Sequence, residues 1–216
     1  MAKSSRAEEV YDYIKQQFLS GKWKAGDRLN DSLLAEEIGV SRISVREALF
    51  RLMETGVVEK EHWKGYFIKE ITDETVADVV DIRIALESCA IRNFIREYSP
   101  EVIEELEKVL EDSSRLLEEG NLTDYLTVDY SFHETIFRNQ HNQYIIRVMD
   151  NLQLMIHFIR YKSMGTGENF IRTAQNSIQW HQWILDAIKA RDEQLAVEQL
   201  TKHLILHQDE VRIQLK

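Results

Sequence analysis

Four ionisable side chains sit where apolar ones are due. At helical spacing Leu122, Leu126, Asp129, His133 and Phe137 share a face, so Asp129 and His133, at i and i+4, interrupt an apolar stripe. A later stripe runs Ile171, Ala174, Ile178, His181, Leu185 and Ile188, with a histidine in its middle. A third groups His203 with Ala196 and Leu200. The turn between the last two segments falls near Arg191-Asp192, about ten residues after His181 and about eleven before His203. At ~1.5 Å of rise per residue, an antiparallel hairpin brings these two histidines within one turn of the same level. Burying four such groups apart from one another costs several kcal/mol unless each finds a partner. One divalent cation per chain satisfies all four together. An aspartate oxygen and three imidazole nitrogens suit zinc first and, with added waters, nickel, manganese or iron. Separately hydrogen-bonded core groups are the competing reading, and the matched heights favour the metal. His207 shares a face with His203 and is the rival ligand, disfavoured by the hairpin register. His141 and His157 read as core histidines satisfied by hydrogen bonds.

A second constellation is cationic. In LLAEEIGVSRISVREALFRLM, from Leu33 to Met53, Ala35, Gly39 and Val45 have the spacing of a helix-turn-helix. A small residue lets two helices touch, glycine reverses the chain, and a β-branched side chain locks the second helix on the first. That helix starts near Ser41 to Ser44 and turns Arg42 and Arg46 outward at i and i+4; surface pairing with Glu47 or a wing is their alternative fate. Ser41 and Ser44 stand at its N-terminus, where free backbone N–H groups favour a phosphate. Thr55-Gly56 then stops the helix. VVEKEHWKGYFIKEI reads as two short strands around a turn at His62 to Gly65. Such a ribbon is a wing, whose tip of His62, Lys64 and Gly65 suits a neighbouring minor groove, with Lys64 on phosphate. Base reading joined to backbone clamping implies double-stranded DNA as the partner. Arg83 is a third candidate, on an inward stripe with Val76, Val80, Leu86 and Ala90. A buried guanidinium needs a carboxylate, either that of Glu87 at i+4 or that of a bound ligand. Tyr125, Tyr130, Trp180 and Trp183 flank the metal candidates, as pocket walls or as aromatic core.

These groups need helices to hold them. Val10, Ile14 and Phe18 mark a first helix from Ser5 to Ser20, and GKWKAGDRLN connects it to the helix-turn-helix. From Thr72 onward the periodicity is helical throughout and predicts six segments. The first runs to about Tyr98. Ser99-Pro100, an N-cap followed by proline at the first helical position, starts the second, with Ile103, Leu106, Leu110 and Leu117 inward and a stop at Gly120. A third covers about Leu122 to Asn139. The fourth, about Gln143 to Met164, is apolar on nearly all sides and is expected at the buried centre. Gly165-Thr166-Gly167 breaks it, a fifth runs from Glu168 to Ala190, and the last runs towards Lys216. The fold class is therefore mostly α. A winged helix-turn-helix domain spans residues 1–71 and an all-α antiparallel bundle spans 72–216, with a hinge at Glu70 to Asp73.

Composition sets the bounds. The 216 residues are 44% hydrophobic and 30% charged, with one proline and eight glycines, which suits long helices and few loops. No apolar run reaches the roughly 18 residues of a membrane span, and MAKSSRAEEV has no signal-peptide core. Cys89 is the single cysteine, so no intrachain disulfide forms and a reducing, cytoplasmic setting is expected. The net charge of −10 is adverse to DNA until it is divided. Residues 1–70 carry 12 Lys+Arg against 12 Asp+Glu, and the remainder carry 15 against 25. DNA contact is thereby confined to one face of the N-terminal unit.

The run from Gly21 to Ile68 resembles the winged-helix domain of the GntR family of bacterial transcription regulators. The matching pieces are G-K-W-K-A-G-D-R-L, L-A-E-E-I-G-V-S-R-x-S-V-R-E-A-L and the closing G-Y-F-I. Arg42 and Arg46 match the family's DNA-reading arginines. The family pattern has proline where Ala25 and Ser44 stand and threonine where Ile43 stands, so no contact is carried over to position 43. Nor is one carried to Ser32, where some members use arginine. The helical region resembles the FCD ligand-binding domain of the family's fatty-acid-regulator branch. Many such domains hold a divalent metal through an aspartate and three histidines. The matching positions are Asp129 and His133 in D-Y-S-F-H, His181 in W-H-Q-W-I-L-D-A-I, and His203 in T-K-H-L. The resemblance covers nearly the whole chain. It implies a homodimeric regulator of operator DNA, a repressor by default and not an enzyme. A small organic acid bound beside the metal would alter its DNA affinity, and Arg83 is the candidate for the acid's carboxylate. One rival keeps the regulator with a purely structural metal and no carboxylate effector. Another is a DNA-tethered metal-dependent hydrolase. Four protein ligands leave that rival little room for substrate, and Glu134 beside His133 points off the inward face. An acyl-CoA sensor of the same branch needs no such quartet.

Overall fold

The computed structural model describes residues 6–19, 22–163 and 168–214. The expected ends of the first helix at Ser5 and Ser20, the end of the fourth bundle helix at Met164, the Gly165-Thr166-Gly167 break and the Lys216 end lie outside the described residues. The chain divides into two compact units. One comprises residues up to Thr72 together with Asn151–Phe158, and the other comprises Asp73–Asp150 and the residues from Ile159 onward.

In the first unit the order is α1 (Arg6–Leu19), β1 (Arg28–Leu29), α2 (Asp31–Ile38), α3 (Arg42–Glu54), β2 (Val58–Glu61) and β3 (Gly65–Ile68). Local chemistry sets the boundaries. The Asn30 side chain accepts from the N–H groups of Ser32 and Leu33 and so opens α2. Gly39 closes it at φ 74°, where a side chain is penalised, with its N–H on the Ala35 carbonyl. Ser41 caps α3 by accepting from the Ser44 N–H at 3.1 Å. Val10, Ile14, Leu34, Val45, Ala48, Leu49, Leu52 and Ile68 are buried, and α1 and α2 both pack on α3. The ribbon expected to have two strands has three, in the order β1-β3-β2. Arg28 and Leu29, expected in a connecting turn, pair with Phe67 and Tyr66. A two-residue strand has no periodicity to reveal it.

The second unit is built from α4 (Asp73–Glu97), α5 (Pro100–Glu118), α6 (Leu122–Arg138), α7 (Gln143–Ser163, less its middle stretch), α8 (Glu168–Lys189) and α9 (Glu193–Gln214). Within it α4 and α8 pack along α9, and α5 packs on α6 and α8. The stripes fail at their ends. Leu122 and Ile171, expected inward, are exposed, because each lies in the first turn of its helix. On α5, Ser113 and Leu116 are buried while Leu117 is only partly covered. α7, expected at the buried centre, buries Ile145, Met149 and Ile159 but leaves Tyr144 and Val148 exposed. Apolar composition does not dictate burial on every face. His141 is not a core histidine either; it is exposed, with Nδ1 3.4 Å from Glu97 Oε2. Among the described residues no helix is long and apolar enough to cross a membrane.

Candidate metal centre and nucleic-acid interface

Inside the second unit α6, α8 and α9 bring His133, His181 and His203 together. One ligand atom from each lies within 4.8 Å of the others, and all three side chains are buried. His133 and His181 approach through Nε2, 3.0 Å apart. Behind them stand two carboxylates. Glu87 on α4 accepts from Arg83 Nε at 2.7 Å through Oε1 and meets His133 Nδ1 at 2.8 Å through Oε2. Asp129 Oδ1 lies 3.4 Å from His181 Nδ1. The other partners of Asp129 are Arg160, which donates to Oδ2, the Ser177 hydroxyl, which donates to Oδ1 at 3.0 Å, and the Tyr125 hydroxyl, 3.1 Å from Oδ1.

Burial raises the Glu87 carboxyl, but the charge of Arg83 and the hydrogen bonds from His133 and Arg83 outweigh it and hold it at about 2. Burial likewise opposes ionisation of Asp129, and Arg160 and then His181 hold it well below the usual carboxylate range. Both acids are thus ionised acceptors. Burial pushes His133 and His203 below the ordinary imidazole value and His181 down to about 3. The three rings are neutral at physiological pH, the form that ligates metal.

A divalent ion can be tested against this geometry through its tautomers. Glu87 accepts only, so His133 carries its proton on Nδ1 and turns a lone pair outward on Nε2. If His181 keeps its proton on Nδ1, towards Asp129, two Nε2 lone pairs face each other at 3.0 Å. If the proton moves to Nε2, an Nδ1 that already lacks a hydrogen bond turns its lone pair on a carboxylate oxygen. Either tautomer leaves one repulsive contact, and a cation held by the converging nitrogens removes it. Zinc–nitrogen bonds of ~2.0–2.1 Å put tetrahedral ligands roughly 3.3 Å apart, so the His133–His181 pair needs little adjustment. The residues fit the group.

Of the four metal candidates, the three histidines converge and Asp129 stands beside them, engaged by Arg160, Ser177 and Tyr125. His207 is buried next to the site but outside the histidine group. Arg83 pairs with Glu87 and still leaves Nη2 buried without a hydrogen-bond partner. Tyr125 and Tyr130 are buried near the site, while Trp183 is exposed. Glu134 is tied to Arg138 at 2.7 Å. The sequence reading missed Arg160 and the contact of Glu87 with His133. A single arginine inside the apolar run LMIHFIRY was a usable signal, because a buried guanidinium demands a carboxylate.

In the first unit Arg42 and Arg46 stand exposed on α3, paired neither with Glu47 nor with the wing. Arg46 Nε donates to Asp31 Oδ2 at 2.6 Å, and Arg42 Nη2 lies 3.1 and 3.2 Å from the two Asp31 oxygens. Ser41 and Ser44 sit at the N-terminus of α3 with their hydroxyls 3.0 Å apart. At the wing tip Lys64 meets Glu61 at 2.6 Å, and Gly65 takes φ 108°. Trp63, not anticipated, is 93% exposed there. A cleft between α3 and the wing carries Arg28, Arg42, Arg46, Lys60 and Lys64 on its walls. An exposed helix face with five cations beside it suits a nucleic-acid backbone.

Known families match both parts of the chain. Residues 6–68 match the gntR family of bacterial regulatory proteins, and residues 78–206 match the FCD domain. The chain is 28% identical over 196 residues to the HTH-type transcriptional regulator YdhC of Bacillus subtilis (strain 168), covering 90% of this chain and 86% of that one. It is 27% identical over 216 residues to the gluconate operon transcriptional repressor of the same organism, covering 98% and 87%. The solved structure of McbR/YncC from E. coli shares the fold, with a TM-score of 0.83 at 22% identity and coverage of 99% and 100%.

Proposed function

The chain belongs to the GntR family of bacterial regulatory proteins, with an FCD domain following its winged helix, and from that premise we propose that it is a cytoplasmic repressor controlled by a small organic acid. It is a DNA-binding transcriptional regulator. Repression as the sign of regulation is supported by the relative named as a gluconate operon repressor. In this reading Arg46 and Arg42 contact base edges, Ser41, Ser44 and the α3 N-terminus take a phosphate, and Lys64 and Gly65 of the wing follow the groove. The reading includes a homodimer, as the family resemblance implies. It includes no enzymatic step, since the relatives that the chain matches are transcriptional regulators.

The observation that carries the sensing half is the meeting of His133 and His181 through Nε2 at 3.0 Å, each backed by an ionised acid. His133, His181 and His203 would hold one divalent ion, zinc before nickel, manganese or iron, with Asp129 as fourth ligand or as the partner of His181. Such an ion supplies a Lewis-acidic position for an anionic oxygen. Glu87 holds the His133 ring in its ligating tautomer. Arg83 Nη2, buried and without a partner, is the donor for the acid's carboxylate. Binding must favour one arrangement of the domains over another, or DNA affinity does not respond.

A cleft lined by His203, His207, Trp180 and Glu210 has a volume of only ≈ 10 Å³, room for about one water. That favours a second reading, a structural ion with no effector. Elemental analysis of the purified protein, with a thermal-shift screen of small carboxylic acids with and without chelator, separates the two. The sensor requires bound metal and an acid whose stabilisation disappears with chelator. Metal without any acid response leaves the structural ion, and absence of metal refutes both.

A further inference from the structure

We infer that Asp31 is the positioning residue of DNA reading, a single carboxylate that holds both recognition arginines in a fixed presentation. The inference rests on the proposed contact of Arg42 and Arg46 with operator bases. Asp31 is the first residue of α2, directly after its Asn30 cap. The helix-turn-helix crossing sets it opposite the first turn of α3. Its side chain is 16% exposed, against 55% for Arg42 and 56% for Arg46. The carboxylate is therefore a floor from which the two guanidinium groups project.

The choice of donors matters. Arg46 is held through Nε at 2.6 Å, which leaves its two terminal nitrogens free. Those two make the fork that reads guanine O6 and N7 side by side. Arg42 is held through Nη2, which leaves Nη1 and Nε for a phosphate or a second base. Exposed ion pairs add little to folding stability, so these contacts have small structural worth. Fixing two long side chains before DNA arrives removes an ordering cost from binding. Burial opposes ionisation of Asp31, but hydrogen bonds from Arg46 and Arg42 prevail and hold its carboxyl below the ordinary value. Asp31 is also the one acid among the described residues lining a cleft with five cations. A negative charge there repels phosphate wherever the arginines lack a base to read. Loose complexes on arbitrary sequence are weakened more than the specific one, in which alignment repays the repulsion.

The test uses the full chain. Duplexes are selected from a random pool, and affinities of wild type, Asp31→Ala, Asp31→Asn, Arg46→Ala and the Asp31→Ala/Arg46→Ala double variant are measured on the selected and on a scrambled duplex across a salt series. Both Asp31 variants should bind scrambled DNA more tightly and lose at least about tenfold in the ratio of specific to non-specific affinity. Circular dichroism and melting temperature should stay unchanged. In the Arg46→Ala background the Asp31 substitution should lower the ratio far less, because its main client is gone. An unchanged ratio, or specific and non-specific affinities rising in parallel, overturns the positioning role and leaves Asp31 a mere repulsive charge. If Arg46→Ala leaves specific binding intact, or no duplex is selected at all, the DNA-reading assignment beneath the inference fails first.

Discussion

Replacing Glu87 with glutamine keeps the shape of the side chain and an acceptor for His133 Nδ1, but strips the charge from a buried pair. The carboxyl is held at about 2 against an ordinary 4.5. At ~1.36 kcal/mol per pH unit of difference, the ionised form contributes about 3 kcal/mol at neutral pH. A separate argument gives the same scale: removing one partner of a buried ion pair, here the partner of Arg83 at 2.7 Å, costs ~3–5 kcal/mol. For a chain of this size a loss of about 3 kcal/mol is a fall in melting temperature of roughly 6 to 12 °C. The sign follows from the direction of the shift. The folded value lies below the unfolded one, so the contribution is complete above about pH 4.5 and is lost as pH falls towards 2. Melts at pH 7 and down an acid series, all in chelator so that metal affinity does not enter, compare wild type with Glu87→Gln. The variant should be less stable at pH 7 and lack part of the acid slope. Arg83→Met added to Glu87→Gln should restore much of the loss by removing the stranded cation. A loss under about 1 kcal/mol, or an acid slope identical to wild type, refutes the account of the pair.

Arg46→Ala should weaken binding to a selected duplex by about 1–3 kcal/mol, read by fluorescence anisotropy; an unaltered affinity removes Arg46 from the reading set. His181→Ala should strip metal from the purified protein by elemental analysis, and full occupancy would show that this ring is not a ligand. Gly39→Ala should cost about 1 kcal/mol or slightly more from backbone strain alone. Its φ is 74° and nothing lies within 4 Å of the added carbon, so an unchanged melting temperature would contradict the strain. Raising salt should weaken DNA binding steeply, and a flat response argues against phosphate clamping.

Much of this protein is a local matter. Gly39 and Gly56 stop helices, Asn30 and Ser41 open them, and Pro100 starts α5, all within a few residues of chain. The inward stripes that marked Asp129, His133, His181 and His203 were legible for the same reason, since a helix repeats itself every 3.6 residues. All four of those side chains are buried. The hairpin turn at Arg191-Asp192, with Asp192 accepting from the Leu195 N–H, set His181 and His203 at matching heights. Periodicity weakened where elements were short or helices ended, as at Arg28–Leu29, Leu122 and Ile171.

What the sequence determined by itself was which faces turn inward, where the chain reverses, and that the acidic excess lies beyond residue 70. Only the tertiary structure decided which atom meets which. Glu87 reaches His133 across 46 residues, and Ser177 reaches Asp129 across 48. Arg160 and Asp129 join from different helices, and Asp31 gathers two arginines from the next helix. The physical reason is that helical spacing specifies a direction around one axis. The partner of a buried charge depends on how several axes cross, and that is fixed only when the whole core packs at once.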